Sequence, residues 1–355
     1  MIAMMQTQPE ARPQLHSEAF VTLARATKGQ VDSALEKLAA REIEKADKLA
    51  SDAGAVMRAL FDLATRGGKR LRPALVSAAN VACNGEGAAV IECGVALEVI
   101  QAYLLIHDDW MDQDDVRRGG PSVHASLRKT FGDQHAGDAC AVLAGDYAQG
   151  LALDLMTQAR VPPVRMVSAV RELASMLTDV VTGQILDVRM AGAVETIHRL
   201  KTSSYTTRAP LALGAILAGA DASVVESLRA AGEPMGVAFQ LQDDLLGTFG
   251  DPKKTGKSAR SDLKQGKRTA LIAELEGDAE AQKLIPRVLG KADAKDADVD
   301  ALIARMVDSG AKSRVEARRA ELVSQASAEI DRLAIDSEGK RLLHEAAAAL
   351  AKRED

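Results

Sequence analysis

The segment IECGVALEVIQAYLLIHDDWMD, residues 91–112, decides the fold. Ile91, Val95, Val99, Ala102 and Ile106 recur every three or four residues, the stripe of a helix facing a core, and the run ends in carboxylates. Similar periodicity runs through 138–158, 164–190, 210–219, 222–246 and 315–350, with breaks such as Arg160-Val161-Pro162-Pro163 and Gly250-Asp251-Pro252. No stretch alternates convincingly as a half-buried strand would, and no linker divides the chain. The expectation is an all-α, single-domain helical bundle: residues 1–15 a disordered N-terminus, 16–355 one domain, and the Ala-rich end from about 290 surface helices closing the bundle.

Composition agrees. Hydrophobic residues make up 47% of the 355 but aromatics only 3%, so the core must be built from Ala, Leu, Val, Ile and Met, which suit closely packed helices. A net charge of -5 argues against a nucleic-acid partner, which needs a concentrated basic surface. The apolar stretch Leu211 to Ala220 falls short of the roughly 20 residues that span a bilayer, so no membrane span is expected. The start, MIAMMQTQPEARPQ, lacks a secretory pattern, and a cytoplasmic location is expected. Cys83, Cys93 and Cys140 show no CxxC pairing and are expected to be buried small hydrophobes.

The chemistry begins where the first helix ends. In His107-Asp108-Asp109-Trp110-Met111-Asp112, Asp108 and Asp112 are four residues apart and project from one face, able to converge on a hard cation. Oxygen-only ligands fit Mg²⁺, which keeps several waters and bridges carboxylates to phosphate oxygens. Phe239-Gln240-Leu241-Gln242-Asp243-Asp244 repeats the design on a later helix, so two acidic walls can face each other across a cavity. Basic segments alternate with the acidic ones. Gly67-Gly68-Lys69-Arg70-Leu71-Arg72-Pro73 offers a glycine turn and then cations, Arg117-Arg118 follows the first acidic motif, and Lys253 to Arg268 holds seven basic residues, including Lys257 and Lys267. Such alternation suggests two phosphate subsites, one reached through metal and one bound directly by Lys and Arg.

These motifs resemble those of the trans-prenyltransferases, the isoprenyl diphosphate synthase (polyprenyl synthetase) family. The resemblance covers roughly residues 50–270 and rests on GGKRLRP at 67–73, HDDWMDQDDVRRGGPSVH at 107–124, LAGDY at 143–147, KTSSY at 201–205 and FQLQDDLLGTFGDPKKTGKSARSDLKQGKRT at 239–269. It implies an isoprenoid-synthase bundle around a deep central cavity, usually as a homodimer. It also implies that Asp108, Asp112 and Asp243 coordinate three Mg²⁺ ions with an allylic diphosphate, supported by Asp109 and Asp244. Lys69, Arg72, Gln101 and Arg118 match the family's contacts to isopentenyl diphosphate. Arg117, Lys201, Gln240, Lys257 and Lys267 match positions that hold the allylic diphosphate, with Thr202 and Phe239 lining the reacting region. Where some members carry a third aspartate in the second motif, this chain has Gly247. His107 is expected to be a hydrogen-bonding neighbour of the carboxylates.

Two rivals are weaker on the same residues. A class I terpene cyclase needs no second diphosphate subsite, so Lys69, Arg72 and Arg118 count against it. A non-catalytic partner subunit would have lost an aspartate motif, and both are present. Product length depends on what blocks the growing chain below Asp108. Leu104 lies more nearly beneath Asp108, while Tyr103, about 7.5 Å down the helix, reaches the cavity by its length. The family pattern, an aromatic at Tyr103 with an uninterrupted DDxxD, favours geranylgeranyl diphosphate, with farnesyl diphosphate next.

Overall fold

The structure, a computed structural model, describes residues 18–87, 89–250 and 261–351. The expectation of disorder over residues 1–15 and the expected role of Lys257 lie outside the described residues. Within them the chain is helical: α1 (Ala19–Asp47), α2 (Ser51–Thr65), α3 (Leu71–Ala82), α4 (Val90–Met111), α5 (Val123–Phe131), α6 (Gln134–Thr157), α7 (Pro163–Val188), α8 (Val194–Ile197), α9 (Ala209–Ala218) and α10 (Ala222–Phe249). Beyond these lie α11 (Ser261–Lys264), α12 (Ala270–Ala273), α13 (Ala281–Val288), α14 (Asp296–Asp308), α15 (Ala311–Arg332) and α16 (Ser337–Ala351). The β structure among the described residues is one antiparallel pair, β1 (Val116–Arg117) with β2 (Gly120–Pro121), a small hairpin just after the first aspartate motif.

Local chemistry sets the boundaries. Gly132 (φ 66°) ends α5 in the left-handed conformation, and the Asp133 carboxylate accepts the Ala136 N–H at 3.0 Å to start α6. Pro163 opens α7, where its missing N–H costs nothing. The run expected over 315–350 is interrupted at residues 333–336: the Asp336 carboxylate accepts the Gly339 N–H at 2.7 Å and caps a new helix. The helix expected from 210 starts much earlier, because residues 198–208 are helical too.

That segment, His198–Arg208, is wound as a π-helix continuous with α8 and α9. Its hydroxyls explain why a polar run can be buried in a helix. The Thr207 Oγ1 donates to the Gly232 carbonyl at 2.6 Å and the Ser203 Oγ to the Glu233 carbonyl at 2.8 Å, both on α10. The Ser204 Oγ turns back onto the Leu200 carbonyl. Two glycines let neighbours close on the segment. A Cβ at Gly183 of α7 would lie 2.5 Å from the Lys201 nitrogen, and one at Gly236 of α10 would lie 2.4 Å from the Thr207 Oγ1.

The core has two parts. The larger gathers α1–α7, α9 and the first half of α10; the smaller gathers α11–α14 against Val237, Leu241 and Leu245 of α10. α10 and α15 contribute to both, so the two parts share walls. α4 is the described helix long and apolar enough to cross a membrane by length and composition, yet 67% of its apolar window is buried inside the protein. Its apolarity serves the core. Cys93 is fully buried, with its thiol pushed up to about 12 by burial; Cys83 and Cys140, expected to be buried, are only partly so.

Candidate active site

The C-terminal end of α4 and the C-terminal half of α10 form two walls, with the π-helical segment between them. Helix C-termini carry partial negative charge, so Asp108 and Asp112 at the end of α4 add to a field that already attracts cations. A cavity of about 620 Å³ lies between the walls, lined by Asp108, Asp112, Asp243, Asp244, Lys201 and Lys267, with Arg117, Asp187, Gln240 and Gly247 also on its surface. A second cavity of about 550 Å³ continues from it, sharing Asp108, Met111, Val188, Lys201, Thr202 and Gln240. Its remaining wall is mostly apolar: Tyr103, Leu104, Val180, Val181, Ile185 and Tyr205. A charged mouth thus opens onto a pocket suited to a hydrocarbon tail. A larger groove elsewhere, between α7, α9 and α10, contains none of the motif aspartates.

Burial raises the Asp108 pKa above the ordinary carboxylate range against the pull of Lys201 and Arg117. Burial and then the charge of Asp108 raise that of Asp112. Holding both ionised therefore needs a cation. Lys201 supplies part of it. Its Nζ lies 2.7 Å from Asp187 and 3.7 Å from Asp108; burial works against its charge, but these carboxylates hold its pKa above the usual lysine value. Among the described residues, no three carboxylate, imidazole or thiol groups come together as a closed metal site. Oxygen donors spread over two walls do not make an all-protein cage, but their chemistry suits a hard divalent cation such as Mg²⁺, which takes few protein carboxylates and keeps several waters.

Asp109 and Asp244 do different work from their neighbours. Asp109 is fully buried and accepts the Arg117 Nε at 2.7 Å, which ties the hairpin to α4. Arg117, expected at the allylic diphosphate, lines the acidic cavity but already pairs with Asp109 and lies 3.6 Å from Asp114. Asp244 accepts the Gln240 Nε2 at 2.9 Å and the Ala270 N–H at 2.8 Å. Gln240 in turn accepts the Thr202 hydroxyl at 2.8 Å, so the wall of the mouth is one hydrogen-bonded chain.

The second cation group lines neither cavity but adjoins Arg117 and Tyr205, which do. Arg72 is 8% exposed, donates to the Thr206 Oγ1 at 3.0 Å, and stacks 4.1 Å over the ring of Tyr205, which itself lines the tail pocket. Arg118 is half-buried; burial lowers its pKa, Glu98 opposes this, and Arg70, Arg72 and Arg117 lower it further. A guanidinium surrounded by guanidiniums is a ready anion site. Lys69 is exposed at the turn preceding α3, and Gln101 is half-buried on α4, seven residues before Asp108 and so on its face. Phe239 does not reach either cavity: it is buried in the larger core, because α10 presents Gln240 and Asp243 to the mouth instead. His107, expected to hydrogen-bond beside the carboxylates, instead sets its Nε2 3.0 Å from the Val142 carbonyl and its ring edge-on to Tyr103 at 4.8 Å, on the wall of the tail pocket.

Sequence reasoning missed Asp187 and Tyr205. Asp187 stands alone at the end of an apolar helix, where an acidic helix end is the available signal; Tyr205 is the last residue of KTSSY, and its place in that motif is the signal for it. Nor does the run of motif cations reveal that Arg70, beside Arg118, is already paired with Asp32 and Glu98 inside the protein.

A family model, polyprenyl synthetase, matches residues 54–306. The chain belongs to the polyprenyl synthetase family, the trans-isoprenyl diphosphate synthases. This synthase is 33% identical over 309 residues to a geranylfarnesyl diphosphate synthase of Natronomonas pharaonis, covering 81% of this chain and 86% of that one. It is 34% identical over 265 residues to a (2E,6E)-farnesyl diphosphate synthase of Mycobacterium tuberculosis, covering 71% of each. Its fold matches a crystal structure of geranylgeranyl pyrophosphate synthase from Corynebacterium glutamicum, complexed with isoprenyl diphosphate and magnesium, with a TM-score of 0.81 and 30% identity over 96% of this chain and 100% of that one.

Proposed function

We propose that this synthase joins isopentenyl diphosphate head-to-tail to allylic diphosphates in a Mg²⁺-dependent reaction, and that its main product is geranylgeranyl diphosphate. The observation that carries the reading is the continuity of the acidic mouth with the apolar pocket through Asp108, Lys201, Thr202 and Gln240. Asp108, Asp112 and Asp243 would hold three Mg²⁺ ions, which when bound neutralise the charge that develops on the leaving diphosphate. Lys201 and Lys267 add fixed positive charge at the same place. The Thr202–Gln240–Asp244 chain keeps the polar rim rigid, so little reorganisation accompanies ionisation. Lys69, Arg72, Gln101 and Arg118 bind the diphosphate of isopentenyl diphosphate, whose double bond attacks the allylic cation. The proton then released leaves with the departing diphosphate. Apolar walls keep water from the cation.

Tyr103 and Leu104 both line the tail pocket, and Tyr103 braced against His107 is the proposed floor. The relatives' names span geranylfarnesyl, geranylgeranyl and farnesyl products, and the aromatic at Tyr103 with an uninterrupted DDxxD, the pattern that the family resemblance ties to geranylgeranyl diphosphate, favours the middle of that range. A homodimer fits the exposed side of α6 that carries Leu143 (61%) and, four residues on, Tyr147 (36%), which a second copy would cover. The test is product analysis after incubation with isopentenyl diphosphate, Mg²⁺ and dimethylallyl, geranyl or farnesyl diphosphate. Geranylgeranyl diphosphate as the chief product is expected. A cyclic hydrocarbon formed from an allylic diphosphate alone would favour a cyclase.

A further inference from the structure

Of the cations in GGKRLRP, Arg70 is the least exposed, ahead of Arg72 at 8%. It is 3% exposed, with its Nε 2.7 Å from Asp32 of α1 and its Nη1 2.5 Å from Glu98 of α4, itself 3% exposed. Its backbone is left-handed (φ 51°), in a turn where Gly67 (φ 68°) and Gly68 (φ 110°) are left-handed as well. A residue with a Cβ holds that conformation only where its surroundings over-determine it, and two ion pairs do so here. The turn is also locked to the hairpin: Arg66 Nη1 donates to the Arg117 carbonyl at 2.7 Å and to the Pro121 carbonyl at 3.0 Å. The Lys69 turn and the hairpin that carries Arg118 are therefore one unit, and Arg70 anchors that unit to α1 and α4. Glu98 lies three residues before Gln101, on the same side of α4.

We propose that Arg70, through the buried Arg70–Glu98 and Arg70–Asp32 ion pairs, is a positioning residue that sets the geometry of the isopentenyl diphosphate subsite without touching the substrate. The proposal rests on the reading of that subsite given above. It makes a prediction of unusual sign for Glu98. On charge alone, deleting a carboxylate beside an anion site tightens anion binding; if Glu98 instead holds Arg70 in place, deleting its charge weakens binding.

The experiment is calorimetric titration of isopentenyl diphosphate, in EDTA and without allylic substrate, into the wild type and into Arg70→Lys, Glu98→Gln and Asp32→Asn, each checked by circular dichroism and melting. Arg70→Lys and Glu98→Gln are expected to weaken binding about tenfold while the KM for the allylic diphosphate stays within about twofold. Asp32→Asn, which alters the more exposed arm, is expected to weaken it about threefold. Weakening in Arg70→Lys with unchanged or tighter binding in Glu98→Gln would make Arg70 a direct contact and overturn the proposal. Should the two buried variants fail to fold, wild-type affinity in Asp32→Asn would overturn it. A wild type that binds isopentenyl diphosphate but never turns it over refutes prenyl transfer while leaving the order of affinities to judge Arg70; a wild type that does not bind it overturns both.

Discussion

Replacing Gly183 with alanine adds one methyl group at a point where α7 touches the backbone of the π-helical segment. The new Cβ would lie 2.5 Å from the Lys201 nitrogen, 2.9 Å from its Cα and 3.0 Å from the Leu200 carbonyl carbon. Ordinary contact begins near 3.4 Å, so about 0.9 Å of separation is missing, and the atoms in the way are main-chain atoms that cannot swing aside. α7 and the Lys201 turn must therefore part, which loosens the Lys201 contacts to Asp187 and Asp108. Overpacking of this kind costs about 1–3 kcal/mol. At roughly 2.1 cal/mol/K per residue, that lowers Tm by only about 1–4 °C for a chain of this size. Misplacement by about 1 Å near reacting groups costs about a hundredfold in rate. The expected result is thus a folded Gly183→Ala enzyme with kcat down about a hundredfold, read by incorporation of labelled isopentenyl diphosphate. A variant with wild-type kcat would refute the argument that this contact positions Lys201.

Three further outcomes are expected. Arg72→Ala should raise the KM for isopentenyl diphosphate by about tenfold or more and that for the allylic substrate much less, since one charge-assisted contact is worth about 1.5–3 kcal/mol; equal effects on both would remove the two-subsite reading. Tyr103→Ala should lengthen the products by one or more isoprene units, and an unchanged distribution by chromatography would show that the floor lies elsewhere. Arg305 and the Ala281 N–H hold the Asp278 carboxyl at about 2, below its unfolded value of 3.8, so its stabilisation is present above pH 4 and is lost as pH falls towards 2. The Tm gap between wild type and Asp278→Asn should accordingly shrink over that window, and a gap that stayed constant would contradict the assignment.

Much of the fold was legible because α4 and α10 carry apolar stripes that end in aspartate pairs, a pattern local in sequence. The π-helical segment was not legible. Ser203, Ser204, Thr206 and Thr207 compete with the backbone for hydrogen bonds and give no apolar helical stripe; what makes them helical is the proximity of α10 carbonyls and of Gly183 and Gly236, which are distant in the chain. The site shows the same division. Asp108, Asp112 and Asp243 announce themselves by spacing, and all three line one cavity. The inward turn of Arg70 could not be read, since a run of cations does not say which of them meets a buried Glu98.

The central claim is that two acidic walls act together through a divalent cation. The most direct measurement is the Mg²⁺ dependence of isopentenyl diphosphate incorporation by wild type, Asp108→Asn and Asp243→Asn, with melting curves recorded alongside. Both variants should lose about a hundredfold or more in turnover, as EDTA should impose on the wild type. Because burial disfavours the charge of Asp108, the Tm of Asp108→Asn should be unchanged or higher than that of the wild type. Full turnover in either variant, or in the wild type stripped of metal, would contradict the account.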